Sequence, residues 1–224
     1  MINNLAIITA RGGSKRIPRK NIKEFMGKPM IAYAIQACQN SNIFDEIMVS
    51  TDDDEIANIA RNLGAKVPFM RSSKNSDDYA TTNDVLVEVI GEYKNLGKNP
   101  KFICCVYPCV PFLDGGILRD AYDKFIASGA DGLTPVVKFS FPIQRAFRIV
   151  DGILQYNELQ NATKRSQDLE PMYHDAGMFY FHKTSRLNSN NIIPYIIDES
   201  LAQDIDTMDD WNMAQIKFKV KNEL

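Results

Sequence analysis

Leu5-Ala6-Ile7-Ile8-Thr9-Ala10-Arg11-Gly12-Gly13-Ser14-Lys15-Arg16-Ile17-Pro18-Arg19-Lys20-Asn21 is the stretch that sets the class of this chain. Its first five residues read as a buried strand. Gly12-Gly13 then lets the backbone turn tightly and approach a ligand closely. Arg11, Lys15, Arg16, Arg19 and Lys20 crowd five cations onto one loop, with no acid between residues 11 and 23. Such crowding is self-repulsive until an anion neutralises it. A polyphosphate at the end of a strand does so through backbone N–H groups and fixed cations. A solvated basic loop, or a patch for nucleic acid, is the plainer alternative. The Gly-Gly pair directly after a strand favours phosphate. The spacing matches neither G-x-x-x-x-G-K-[ST] nor G-x-G-x-x-G.

Outward from this loop, strand and helix patterns alternate. Residues 29–38 open a helical pattern and residues 46–50 read as a second strand. Residues 53–63 form a helix with Ile56, Ile59, Ala60 and Leu63 on one face and Gly64 as its stop. Residues 66–70 read as a short strand, and Thr81 or Thr82 caps a helix through Val85, Leu86, Val89 and Ile90. Residues 102–107 are a strongly apolar, central strand, followed by a helix over 116–128 and a strand over 133–137. This order predicts an α/β, Rossmann-like fold: a mostly parallel sheet with helices on both faces. Ligands then belong at the carboxyl ends of the strands, so the loops after Thr9, Ser50, Tyr107 and Lys138 should face one site. Beyond Lys138 the rhythm changes. Residues 146–157 read as a hairpin turning at Asp151-Gly152, residues 177–182 and 195–197 as strands, and 209–218 as a closing helix bearing Trp211, Ala214 and Phe218. The chain reads as one domain, 1–224, with residues 139–175 a small β-containing insertion that acts as a lid, a dimer arm or both.

Composition narrows the classes. An apolar fraction of 45% in 224 residues supports a sizeable core, and a net charge of −2 makes the excess of positive charge local to the basic loop instead of global. That excludes general nucleic-acid binding as an expectation. No apolar run reaches membrane-spanning length. The first residues lack the features of a signal peptide, and Cys38, Cys104, Cys105 and Cys109 suit reduced thiols better than a disulfide framework. A cytoplasmic chain is expected.

Several clusters carry chemistry, each with a bland reading beside it. In Ser50-Thr51-Asp52-Asp53, Thr51 or Asp52 is an ordinary helix N-cap. Arg71 and Asp78 stand at strand or helix ends and could line a nucleotide site. Tyr107-Pro108-Cys109-Val110-Pro111 is a rigid strand exit, with Tyr107 able to stack on a base. Arg165-Ser166-Gln167-Asp168 and Tyr173-His174-Asp175 are dense in polar groups. His182 lies in a strand and reads as structural. In Asp204-Ile205-Asp206-Thr207, a buried Ile205 turns both carboxylates the same way. Such a pair attracts a hard divalent cation shared with phosphate oxygens, while Asp206 or Thr207 caps the last helix.

Taken together, these motifs resemble the cytidylyltransferases that activate nonulosonic acids, the sialic-acid synthetase group. The resemblance spans nearly the whole chain. It rests on Ala10-Arg11-Gly12-Gly13-Ser14-Lys15 with Lys20-Asn21, Ser50-Thr51-Asp52-Asp53, Pro108-x-x-Pro111, Arg165-x-Gln167-Asp168 and Asp204-Ile205-Asp206-Thr207. Asp78-x-Ala80-Thr81-Thr82, Arg165-Ser166-Gln167-Asp168-Leu169 and Tyr173-His174-Asp175-Ala176-Gly177 look most like the pseudaminic acid branch. The wider group usually carries Gln where Tyr107 stands. The resemblance implies a nucleotide-diphospho-sugar transferase type of fold and transfer of CMP from CTP to a nonulosonic acid, releasing pyrophosphate. It implies Arg11, Lys20 and Asp206 as catalytic residues. It implies Ala10, Arg11, Gly12, Gly13, Lys15, Asn21, Arg71, Asp78, Thr81 and Tyr107 around the nucleotide. Arg165, Gln167, Tyr173 and Asp175 would meet the sugar, and Asp204 and Asp206 would hold Mg²⁺. Arg16 and Arg19 are read as solvated neighbours, and a homodimer through residues 139–175 is expected. Competing readings are a glycosyltransferase using Asp204-Ile205-Asp206 as its metal motif, and an RNA-binding module using the basic loop.

Overall fold

The computed structural model describes residues 2–223. Strand β1 (Asn4–Thr9) leads through the basic loop into two short strands, β2 (Glu24–Phe25) and β3 (Lys28–Pro29), and then helix α1 (Ile31–Ser41). Next come β4 (Glu46–Ser50), α2 (Asp54–Asn62), α3 (Thr82–Asn95), β5 (Phe102–Val106), α4 (Gly115–Ser128) and β6 (Gly132–Lys138). A hairpin of β7 (Phe147–Val150) and β8 (Ile153–Tyr156) precedes β9 (Tyr173–Asp175), β10 (Phe179–Lys183), β11 (Ile192–Ile196) and the last helix, α5 (Met208–Glu223).

The main sheet runs β11-β6-β10-β5-β1-β4, with β9 added against β6. β1, β4 and β5 are mutually parallel, and β6 and β11 are parallel to each other. β10 runs antiparallel to both β5 and β6, and β9 antiparallel to β6. The expected mostly parallel sheet is therefore present, with its antiparallel members drawn from the segment where the alternation breaks down.

Period-two side-chain alternation explains the layers. Along β1, Ala6 and Ile8 join a core with Ile31, Ala34 and Ile35 of α1, Ile56 and Ala60 of α2, and Leu118 and Phe125 of α4. Leu5 and Ile7 face the other way, against Val85, Leu86, Val89 and Tyr93 of α3. A third cluster joins Ile17 of the basic loop, Phe25, Tyr33, Phe112, Ile205 and Trp211. This last cluster matters most for function, because it clips the acidic segment near the end of the chain onto the basic loop near its start.

Two local expectations change. Residues 66–70 form a single parallel bridge, Lys66 to Met48, instead of a strand. Lys66 N donates to Ile47 O, and Val49 N donates to Lys66 O, both at 2.8 Å. The next rung needs an N–H from Pro68, which has none, so the ladder stops. The cap of α2 is Asp53, whose carboxylate accepts from Ile56 N at 3.0 Å, and neither Thr51 nor Asp52 fills that role. The β7–β8 hairpin turns where expected. Asp151 and Gly152 take φ of 50° and 78°, the pair of positive values a type I′ turn requires.

Candidate active site

A cavity of about 670 Å³ opens at the carboxyl ends of β1 and β5, a size suited to a nucleotide. Its lining includes Arg11, Lys15, Arg16 and Lys20 of the basic loop, Arg71, Asp78 and Thr81, Tyr107 and Cys109 after β5, and Asp204 and Asp206.

Each wall has a local cause. Asn21 is buried; its Nδ2 donates to Arg11 O at 2.8 Å, and its own carbonyl accepts from Ile31 N at the start of α1. The loop is thereby folded back on its own beginning. Cys109 Sγ donates to Asn21 Oδ1 at 3.4 Å and ties the exit of β5 to the same asparagine. Burial pushes the Cys109 thiol up to about 12, so it stays protonated and able to donate.

The acidic wall follows from Ile205, which is 1% exposed and packed in the cluster with Ile17 and Trp211. Burying it presents Asp204 and Asp206 to the cavity, as extended-chain geometry predicts. Thr207 relieves Asp206 of capping duty. Thr207 N donates to Asp210 Oδ2 at 2.8 Å and Asp210 N to Thr207 Oγ1 at 3.2 Å, a closed box at the start of α5. Asp206 instead takes Arg16 at 2.7 Å and Lys20 at 3.3 Å. Lys20 Nζ also donates to Ile205 O at 2.5 Å. Desolvation by the cavity wall and then the charge of Asp206 raise the Asp204 carboxyl above the usual range.

Arg71 is the least expected feature of the lining. It is 8% exposed, and its guanidinium donates to Ser50 Oγ at 2.9 Å and Ser50 O at 2.6 Å. Burial pulls its pKa down, and among the described residues no carboxylate lies within ion-pair distance. A buried cation held only by neutral acceptors on the wall of a cavity is poised for an acceptor from a ligand.

The arginines read from the sequence as solvated neighbours are structural parts. Arg19, with φ of 57°, binds Asp53 and Glu55, each at 2.5 Å, and thereby pins the basic loop to the first turn of α2. Arg16 sits on Asp206. Their acids come from distant parts of the chain, so no local pattern reveals them.

Other expected site residues stand elsewhere. Ala10 is fully buried and its N–H bonds Ser50 O at 2.9 Å. Gly12 N donates to Asp52 Oδ1 at 2.9 Å. A Cβ there would come within 2.8 Å of Asp53 Oδ2, so this glycine is required by packing against the β4–α2 loop. Neither residue lines the cavity, nor does Gly13. The loop after Lys138 also leaves the cavity. Arg165, Gln167, Tyr173 and Asp175 are absent from its lining, and Arg165 is bound to Asp168 at 2.7 and 3.0 Å. Asp175 comes nearest. It accepts from Gly177 N at 2.7 Å, beside the rim, and from the Tyr180 hydroxyl at 2.9 Å. Tyr180 in turn stands 5.4 Å from the ring of Tyr107. Sequence reasoning missed Asn75, Asp77, Cys109 and Gly177 on the lining. Cys109 was signalled by its place between the two prolines that follow β5.

Comparison with known proteins gives the family and the fold. A pseudaminic acid cytidylyltransferase of Campylobacter jejuni is 42% identical over 99% of both chains. An N-acylneuraminate cytidylyltransferase of Danio rerio is 32% identical over 94% of this chain and 49% of its own length. The fold matches a CMP:2-keto-3-deoxy-manno-octonic acid synthetase solved with CTP, at a TM-score of 0.71 over 99% of this chain and all of the other, with 16% identity. The cytidylyltransferase family model matches residues 5–209, and the chain belongs to that family.

Proposed function

We propose that this enzyme transfers CMP from CTP to the anomeric hydroxyl of pseudaminic acid and releases pyrophosphate. The observation that carries the reading is the cavity. It gathers Arg11, Lys15 and Lys20 with Asp204 and Asp206 on one lining, in a chain 42% identical over 99% of its length to a pseudaminic acid cytidylyltransferase.

The chemistry needs alignment and charge more than a covalent intermediate. The sugar oxygen attacks the α-phosphorus, and the bond to the β-phosphate oxygen breaks. Negative charge grows on the leaving pyrophosphate, where Arg11, Lys15 and Lys20 neutralise it. Arg71 would donate to an acceptor on the cytosine ring, and Thr81, Tyr107 and Asp78 would frame the nucleoside. Asn21, held by Cys109, keeps the loop in register, with Ala10, Gly12 and Gly13 shaping its backbone.

Asp204 and Asp206 suit Mg²⁺. Both carboxylates line the cavity, and a magnesium bound together with phosphate oxygens needs few protein ligands. When bound there, the ion would polarise phosphate oxygens as a Lewis acid.

For the sugar end we propose Arg165, Gln167, Tyr173 and Asp175, brought in by closure or by a second copy of the chain. The insertion, residues 139–175, gives reason for a second copy. In the β7–β8 hairpin, Phe147, Ile149 and Leu154 share one face and are 52%, 75% and 61% exposed. A lone two-stranded hairpin with such a face is marginal in water. A homodimer would cover this face. Buried free thiols at Cys38, Cys104 and Cys105 fit a reducing, cytoplasmic setting, and no helix among the described residues is long and apolar enough to cross a membrane.

The test is pyrophosphate release from CTP with Mg²⁺ and a panel of nonulosonic acids. Rapid release only with pseudaminic acid is expected. Faster release with legionaminic or N-acetylneuraminic acid would reassign the sugar, and turnover of a nucleotide-sugar without CTP would overturn the reaction class. Light scattering of the wild type and of Ile149→Asp tests the dimer: the wild type should be a dimer and the variant a monomer.

A further inference from the structure

We infer that Asp78 is the built-in counter-anion of the phosphate site. It occupies Arg11 and Lys15 in the free enzyme, and takes them back as pyrophosphate leaves. This rests on the cytidylyltransferase reading of the same cavity. It adds to Asp78 a role opposite in sign to simple nucleotide contact.

Arg11 Nη1 donates to Asp78 Oδ1 at 2.9 Å, and Lys15 Nζ pairs with Oδ2 of the same carboxylate. One carboxylate thus uses both oxygens on the two cations best placed to hold a polyphosphate. It neutralises one of their two charges and leaves the other facing the cavity. The clasp is exposed: the three side chains keep 39%, 45% and 77% of their accessible surface for Arg11, Asp78 and Lys15. Exposed ion pairs of this kind are weak and screened by salt. Several phosphate charges therefore outcompete one carboxylate.

The clasp is not what holds its own loop together. Asp77 Oδ1 accepts from Tyr79 N at 2.9 Å and Ala80 N at 2.8 Å, which fixes the turn around Asp78. Thr81 and Asp84 cap α3 in a closed box, with Asp84 N donating to Thr81 Oγ1 at 3.2 Å and Thr81 N to Asp84 Oδ2 at 2.9 Å. Arg11 has a second anchor besides Asp78, the Asp77 carbonyl at 2.9 Å. Loop and arginine are both placed without the carboxylate of Asp78, so that carboxylate is free to act as an exchangeable charge. A bound polyphosphate beside it would be repelled unless the side chain turned outward, and an exposed side chain can do so.

The experiment measures binding of inorganic pyrophosphate and of inorganic tripolyphosphate to the full-length wild type and to Asp78→Asn, by calorimetry at low salt. Product inhibition by pyrophosphate is followed in the CTP assay. Removing two exposed ion pairs should tighten binding of both anions by about two- to thirtyfold. The gain should vanish near 1 M salt, where the screening length falls to ~3 Å. Pyrophosphate should inhibit Asp78→Asn at lower concentration, and Asp78→Glu, which keeps the charge, should retain the wild-type affinity for both anions. Unchanged or weaker binding in Asp78→Asn overturns the inference and makes Asp78 a positioner of the two cations. Asp78→Ala repeats the test should the asparagine variant fold poorly. Tighter anion binding without CTP turnover in the wild type would retain the counter-anion and discard the nucleotidyl transfer. Turnover without tightening would do the reverse.

Discussion

Opposite ends of the parallel strands carry two clusters of charge built on opposite principles. At the amino end of β4, Glu46 is sealed in, its side chain 4% exposed. Its oxygens accept from the Tyr93 hydroxyl at 2.7 Å, Lys66 at 2.9 Å and Lys98 at 3.0 Å. Burial works to raise this carboxyl, but the hydrogen bonds from Tyr93, Lys66 and Lys98 outweigh it and hold it below the usual range. At the carboxyl end, Asp204 has no ion-pair partner among the described residues, and desolvation followed by the charge of Asp206 raises its carboxyl against the opposing pull of Lys20. Arg71 is buried with no anion among the described residues. A satisfied buried cluster stabilises the fold and has nothing left to offer a ligand. An unsatisfied one costs stability and keeps its charge for something that arrives from solution.

The strongest way to break this contrast is at the carboxyl end. Lys20→Ala and Asp206→Ala should each lower kcat/KM for CTP-dependent pyrophosphate release by about 10²–10³, while urea denaturation shows stability little changed. Retention of full activity would remove both residues from the phosphate and metal roles. Arg71→Met should raise the KM for CTP by about ten- to a hundredfold, the worth of a hydrogen bond from a charged donor. An unchanged KM would make Arg71 a scaffold for Ser50 only.

At the amino end the reverse holds. Glu46→Ala should cost about 1–3 kcal/mol in urea melts, because Tyr93 loses its buried acceptor, with kcat per folded enzyme unaltered. The pH dependence has a fixed sign. A carboxyl held lower in the fold than in the unfolded chain contributes stability above its unfolded value, and that contribution is lost as pH falls through the folded one. Wild-type stability should therefore fall more steeply than that of Glu46→Gln on acidification below about pH 4.3. The smallest change in stability is expected for Asp204→Asn. Removing one of two like charges should stabilise the fold, by less than about 1 kcal/mol because the group still meets water, while metal-dependent activity is lost. Destabilisation instead would mean that Asp204 has a structural partner, and the contrast between the two ends would fail.

Much of this was legible in the chain. Period-two and period-3.6 patterns named β1, β4, β5 and the helices because alternation is a local property of the backbone. The buried Ile205 between two outward carboxylates was readable for the same reason. Pro68 could have been read as ending its ladder, since a missing N–H is also local. Arg16 and Arg19 were illegible as structural residues, because Asp206 and Asp53 reach them only through folding.

By itself, then, the sequence determined the α/β class, a basic glycine-bearing loop after the first strand, a carboxylate pair flanking Ile205, and the family. Tertiary structure alone decided which cations are already spoken for. Ion pairing depends on which distant acids the topology delivers, and the cluster of Ile17, Phe25, Ile205 and Trp211 brings the two ends of the chain together. It also decided that the insertion stands apart from the cavity in a single chain, since a hairpin specifies its own turn but not the surface that covers its apolar face.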